Sequence, residues 1–447
     1  MSARPPFSVV IPSLVLLGFA GCATYADHTA KPLRDFQSGQ FEAAREAYAD
    51  PKTTRSVFLS GAEAGTAALT AGNWQAALEH YHVAAAEVEE LEGRALAGPE
   101  SLGETLASWA INDNQRAYQG EGFERVYLHC GLALAYLALG KVDDVYVEAR
   151  LANQLLEAEE ELYETKYEAG GFGHLVSAVT YELIGYRSDA LIDYQRMAEK
   201  GVGTALAGRA LVRLAGELGR DDLLPGLVEQ HGPDTPRPEG AASVVVLAGV
   251  GLGPYKIESR LTLPLPDGVF QMAVPGYAER AQPVTALSLL DVTSGESVRT
   301  DLVEHVTKIA RENLEDRLGW MAAKSIARGI LKRELTKKLE EEYDVVGRIA
   351  GDLFSIVSER ADTRAWLTLP DSWQACRLFV PPGVRSFALD AVGGQSVPLG
   401  TFELEPGETL VVIARSLGTS LYAHAIGGKP VDPNFAAPAA AQPSTTP

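Results

Sequence analysis

Cysteine is nearly absent from this chain. Its 447 residues hold three, Cys22, Cys130 and Cys376, which excludes a disulfide-stapled fold. Cys130 and Cys376 each sit among apolar neighbours and read as small buried residues. Positive charge is scarce as well. Lys and Arg number 39 against 59 Asp and Glu, a net charge of −20, so neither nucleic acid nor an anionic lipid surface is a natural general partner. After residue 22 no apolar run approaches the roughly 20 residues of a spanning helix. The short motifs of common chemistry are missing too. There is no Gly-x-Ser-x-Gly elbow, no His-Glu-x-x-His helix, no phosphate loop ending in Gly-Lys-Ser/Thr and no Cys-x-x-Cys. His80 and His82 are two apart, which on a helix turns them roughly 200° from each other and away from a shared metal. His129 beside Cys130 lacks a third ligand nearby in sequence. Gly249, Gly251 and Gly253 alternate with apolar residues, but Pro254 follows and no helix opens there, as a dinucleotide loop requires. No metal, no cofactor and no enzymatic activity are expected from these patterns.

The chain opens on a feature with chemical content. Arg4 precedes an apolar run from Ser8 to Ala20, followed by Phe19-Ala20-Gly21-Cys22. The run is about a dozen residues, too short to span a bilayer permanently. Small residues before a cysteine suit a lipoprotein signal peptidase, and the Cys22 thiol is the atom that takes up diacylglycerol. Residues 1–21 are therefore expected to be a signal peptide and Cys22 the lipidated first residue. An ordinary signal cut after Ala26 is the competing reading. No Asp follows the cysteine, and the resemblance to Gram-negative lipoproteins implies an outer-membrane location facing the periplasm.

Glycines then recur with fixed company. Gly39 and Gly72 are each followed by an aromatic at +2 (Phe41, Trp74), an Ala at +5 (Ala44, Ala77) and a Tyr at +9 (Tyr48, Tyr81). Gly140, Gly185 and Gly219 continue the series more weakly, with Val145, Ala190 and Leu224 at +5. Glycine suits the tight turn between two antiparallel helices, Ala their close approach, and aromatics the gap to the next unit. The pattern resembles the tetratricopeptide repeat. Residues 22–230 are expected to form an all-α array of that kind, with the glycines at the turns inside each pair. Such an array can hold a partner in its groove or can simply support the rest of the protein.

A polar stretch, Asn112-Asp113-Asn114-Gln115-Arg116-Ala117-Tyr118-Gln119-Gly120-Glu121-Gly122-Phe123-Glu124, interrupts the array before a helix starting near Arg125. Its amides suit an irregular, self-bonded connection. Alternatively Trp109, Asn112, Asn114, Tyr118 and Phe123 present amides and aromatics to a partner peptide or glycan. With Val126, Leu128-His129, Ala133, Tyr136-Leu137 and Gly140, this segment resembles a family of uncharacterised bacterial tetratricopeptide-repeat-like lipoproteins of the Gram-negative envelope. The resemblance extends to Gly253-Pro254-Tyr255-Lys256 ahead of a strand. It brings no established activity with it. Of the two carboxylates here, Glu124 suits the positive start of the following helix.

The second half changes character. Residues 231–240 hold three prolines and two glycines and read as a linker. Ser243–Ala248 is a Val-rich apolar run with the signature of a buried strand. Further strands are expected at Arg260–Leu265, Ala286–Val292, Arg364–Leu369, Ala375–Val380, Ser386–Ala391, Thr401–Leu404 and Leu410–Arg415. Between them, residues 301–343 read as a long helix. Its stretch 317–338 carries seven Lys or Arg and one acid. The favoured reading of that basic face is a solvated or internally docked surface, and the competing one is a contact with acidic headgroups or an acidic partner. Residues 426–447 are expected to be disordered. The fold class expected is α+β: an N-terminal all-α TPR-like repeat domain, then a C-terminal antiparallel β-sandwich-like domain over 241–425 with a long inserted helix. The function expected is a lipid-anchored periplasmic scaffold that binds another cell-envelope protein through its helical repeats. The alternatives are an enzyme or enzyme subunit acting on envelope glycans and a surface-exposed adhesin-like lipoprotein.

Overall fold

The computed structural model describes residues 25–96, 117–163, 169–265, 268–316 and 361–431. Cys22, Trp109, Asn112, Asn114, the basic stretch 317–338 and residues 432–447 lie outside them. The chain is α+β. Helices fill the N-terminal half: α1 (Tyr25–His28), α2 (Ala30–Gln37), α3 (Phe41–Ala49), α4 (Pro51–Thr54), α5 (Val57–Thr70), α6 (Trp74–Leu96), α7 (Gly122–Ala138), α8 (Val142–Tyr163), α9 (Gly171–Leu183), α10 (Arg187–Lys200), α11 (Thr204–Glu217) and α12 (Leu224–His231).

One backbone device closes the turn of each of five helix pairs and recurs at Gly201, between α10 and α11. Gly39, Gly72, Gly140, Gly185 and Gly219 all have positive φ, between 63° and 82°. Each stands at the turn of a pair: α2/α3, α5/α6, α7/α8, α9/α10 and α11/α12. At each the glycine N–H bonds back three residues and the next N–H bonds back five, as in Gly72 to Leu69 and Asn73 to Ala68. This is the Schellman ending, and its left-handed residue favours glycine. The residues counted from these glycines land where the spacing requires. Ala44, Ala77, Val145 and Ala190 at +5 are fully buried, and Tyr48, Tyr81 and Tyr194 at +9 are buried with them.

The C-terminal half holds β1 (Ala242–Val250), β2 (Tyr255–Leu265), β3 (Gly268–Ala278), β4 (Leu287–Asp291), β5 (Ser297–Arg299), β6 (Asp301–His305), a helix α13 over 306–316, β7 (Ser372–Val380), β8 (Gly383–Ala391), β9 (Ser396–Leu404), β10 (Thr409–Leu417), β11 (Ser420–Ile426) and β12 (Lys429–Pro430). One five-stranded sheet runs β11-β10-β1-β7-β6 and a second runs β12-β9-β8-β4-β5, while β2 and β3 form a separate hairpin. The two sheets share a core that includes Val244 and Val246 from β1, Leu289 from β4, Phe387 from β8 and Val412 from β10. The first sheet's other face, with Val245, Leu247, Trp373, Ala375 and Ile413, joins the core of the helices. The layers are therefore helices, first sheet, second sheet. A strand covered on both faces cannot alternate, which explains why β1 reads as one apolar run. The second sheet covers one face only, and β4 alternates buried with half-buried residues.

Four expectations are corrected. Strand β1 pairs with β10 in parallel, so the sheet is not antiparallel throughout. Asp301–His305 is not helical but pairs with β7, and the helix begins at 306. Arg364–Leu369 is no strand, because the backbone N–H groups of Trp366, Leu367 and Thr368 are taken by Glu124 and Glu63 from the helices. The C-terminal end stays paired further than expected, with Ile426 in β11 and Lys429–Pro430 against β9. No helix among the described residues is long and apolar enough to cross a membrane.

Candidate functional site

The segment 361–371, just ahead of β7, lies against the first helices of the pairs. Glu63 sits mid-helix in α5 and is fully buried. Its carboxylate accepts the N–H of Leu367 at 2.7 Å, the N–H of Thr368 at 3.0 Å and the hydroxyl of Tyr25 at 3.1 Å. Burial pushes its pKa up to about 7 against those hydrogen bonds. One turn along, Trp366 donates its indole N–H to Thr66 at 3.1 Å and packs edge-on to Phe58 and tilted over Tyr81. Glu124 of α7 accepts the backbone N–H of Trp366 at 2.7 Å, the hydroxyl of Tyr118 at 2.7 Å and the N–H of Glu121 at 3.0 Å. The last bond is half of a capping box, so Glu124 does favour the start of its helix. Burial raises its pKa as well.

Sheet residues reach the helices in the same manner. Glu304 of β6 accepts the N–H of Gly171 at 3.1 Å and thereby caps α9. Burial raises its pKa to about 7, although the backbone N–H groups of residues 170–172 oppose the shift. Trp373 stacks on Phe172 with ring centroids 4.0 Å apart. Glu182 is partly buried, yet Arg377 and Arg213 outweigh desolvation and lower its pKa to about 2. Arg213 and Arg377 each donate to it at 2.6 Å. Strand β11 meets the turns themselves: His424 donates to the carbonyl of Thr70 at 3.0 Å, and a methyl on Gly72 would stand 2.6 Å from its ring.

These contacts decide where the expected site residues stand. Tyr118 and Phe123 are buried, at 7% and 6% exposure, and do not face a partner. Phe123 packs edge-on to Tyr127 and Tyr277. The Tyr118 ring lies between cations, 5.3 Å from Lys256 and 5.0 Å from Arg364. Lys256, itself buried, pairs with Glu121. The two segments that carry the family resemblance therefore meet in one polar cluster. It holds the hairpin β2/β3 and the 361–371 segment to α7, and its contacts are those of a clasp. The histidines stand apart: His80 contacts Arg45, His82 contacts Tyr136 at 2.8 Å, and His129 bonds Glu148 at 2.6 Å. Cys130 and Cys376 are both free and buried. Burial drives the Cys130 thiol well up and the Cys376 thiol to about 12, which leaves them inert as nucleophiles.

No family model, curated protein or solved structure matches this chain. The site must be read from its own geometry. On the opposite side of α9 from the sheet, α8, α9 and α10 enclose a cleft of about 430 Å³. Helix α8 lines it with Tyr146, Arg150, Asn153, Gln154 and Glu157, and α10 with Asp189, Ile192, Asp193 and Arg196. Both sets follow the i, i+3/i+4, i+7 spacing of one helix face. Ser177 and Tyr181 of α9 make the floor and one wall. Asp193 is buried there, accepting Ser177 Oγ at 2.6 Å and His174 Nδ1 at 2.9 Å. The order is hydroxyl, carboxylate, imidazole. No histidine accepts the serine proton, so the nucleophile arrangement of a serine hydrolase is absent from this cluster.

The rim is apolar and exposed. Ile192 and Tyr146, which line the cleft, are 49% and 39% exposed, and Tyr186 beside Tyr181 is 59% exposed. Tyr146 and Tyr181 stand 5.4 Å apart, and Tyr186 continues the wall 6.5 Å beyond. The sequence reading missed this cleft. The available signal was positional: Val145, Ala149, Ala152 and Leu156 fill the buried face of α8, which turns Tyr146 toward solvent. Glu63 carried a signal too, being the one acid in the apolar run from Val57 to Leu69.

Proposed function

We propose that this chain is a lipid-anchored, non-enzymatic binding protein of the Gram-negative envelope, and that it recognises its target through the α8/α9/α10 cleft. In this reading the paired helices are a TPR-like array and the two sheets a sandwich clasped in it. The observation that carries the proposal is the division of the array's two sides. The side lined by the first helices of the pairs is filled by the chain's own 361–371 segment and first sheet. The cleft on the other side has the size of a ligand site and a rim of exposed aromatics. A scaffold role through the repeats is thereby moved from their inner groove to their outer face.

The outer membrane is proposed as the location, with Cys22 as the acylated residue. Replacing Cys22 with Ala should release the protein from the membrane fraction, and unchanged retention would refute the anchor. The cleft itself is tested with a photocrosslinking residue at Ile192, compared with one at exposed Gln75 on α6. A discrete adduct in cells from position 192 and none from 75 is expected. Equal, diffuse labelling from both would refute the cleft as the recognition site.

A further inference from the structure

The chemistry of the cleft narrows its ligand, a step that rests on reading it as the recognition site. We propose that it binds a short, uncharged oligosaccharide whose sugars carry hydroxyl or acetamido groups. Its size suits a ligand of a few sugar rings. The interior is polar, which disfavours a lipid or a peptide held by apolar side-chain pockets. Charges within it nearly cancel: Arg150 and Arg196 stand against Glu157, Asp189 and Asp193. A polyanion would meet the carboxylates and a polycation the guanidinium groups.

Sugars need what remains. Each hydroxyl both donates and accepts, so neighbouring hydroxyls are matched by planar groups offering donors, acceptors or both. Guanidinium, carboxylate and amide side chains supply that set here, in Arg150, Asp189 and Gln154. One end of the Asn153 amide lies 3.1 Å from His174 Nδ1, and its other end is buried beside the cleft with no hydrogen-bond partner among the described residues. The apolar face of a pyranose ring needs an aromatic surface, and Tyr146 and Tyr181 give two, inclined at 54°. The floor is fixed in advance, because Asp193 is held by Ser177 and His174. A prearranged polar floor beneath an aromatic wall lowers the ordering cost of binding a hydrated ligand.

The test is a glycan microarray of neutral, N-acetylated and acidic oligosaccharides, probed with the full-length protein in detergent. Hits are then titrated calorimetrically. Tyr146→Ala and Arg150→Ala, both at exposed positions, are run alongside. Saturable binding to neutral or N-acetylated sugars is expected, with each variant weaker by about tenfold or more. Binding confined to acidic sugars, binding unchanged in both variants, or a blank array would overturn the proposal. A blank array together with a sugar-free protein adduct from position 192 would remove the glycan and leave the cleft standing. A blank array with no adduct would remove both.

Discussion

Where α5 and α7 meet the C-terminal half, the carboxylates of Glu63 and Glu124 are buried and spent on backbone N–H groups of Trp366, Leu367 and Thr368. Where α8 and α10 face outward, Glu157 and Asp189 line an open cleft. The residue type is the same and the use differs. On the inner side each acid replaces water for a segment that has no strand partner, which is how an extended peptide would be held in a groove. The chain thus supplies its own occupant there. The paired helices therefore do not offer their inner face to another molecule.

The strongest way to break the comparison is to remove the occupant. Trp366→Ala deletes an indole packed against Phe58 and Tyr81 and removes one of the hydrogen bonds to the Thr66 hydroxyl, which keeps Ala62 and Tyr81 as partners. A loss of about 3–5 kcal/mol is expected in chemical denaturation. The same value should be seen by probes in the helices and in the sheets, because the two halves share one core. Two separate transitions, only one of them moved, would show that the halves fold independently.

Protonation tests the inner side more gently. Glu63 and Glu304 have folded pKa values near 7, above the usual 4.5. The folded state therefore holds more protons than the unfolded one between those values. Stability should rise as pH falls from about 8 to about 5, through these two groups. Glu182 works the other way. Its pKa is lowered to about 2, so the stability it contributes is present above 4.5 and lost as pH falls toward 2. A maximum near pH 5 is expected in thermal melts. Glu63→Gln should flatten the limb between pH 5 and 8, and an unchanged limb would remove Glu63 from the explanation.

The smallest effect is expected outside. Tyr146→Ala and Ile192→Ala lie on the exposed rim and should each shift stability by no more than about 0.5 kcal/mol. Their effect should fall on recognition. A large destabilisation would mean that the rim is part of the core.

Much of the helical half could be read from spacing. Gly39 and Gly72 repeat a full set of offsets, and each offset reports a local requirement: a left-handed turn, a close approach, a filled gap. Strand β1 was legible as buried because both of its faces are apolar. Its parallel pairing with β10 was not, since no local rule fixes a partner about 165 residues away. Arg364–Leu369 has the composition of a strand, and only the glutamates on distant helices reveal why it pairs with none. Asp301–His305 has polar ends that blend into the helix after it. The candidate site was legible least. Tyr118 and Phe123 were expected to face a partner, but burial against β2/β3 and Arg364 makes them part of the clasp. The cleft escaped because its residues are ordinary one by one and converge only when three helices are set side by side.

Hydrogen exchange at three amides probes the central claim most directly. The N–H groups of Trp366, Leu367 and Thr368 belong to no helix or strand. If Glu63 and Glu124 hold this segment as an inbuilt occupant of the array, all three should exchange only through global unfolding, with the denaturant dependence of the β1 amides. Exchange at the rate of an unprotected loop, insensitive to denaturant, would mean that the inner face is open, and the outer cleft would lose its claim to be the recognition surface.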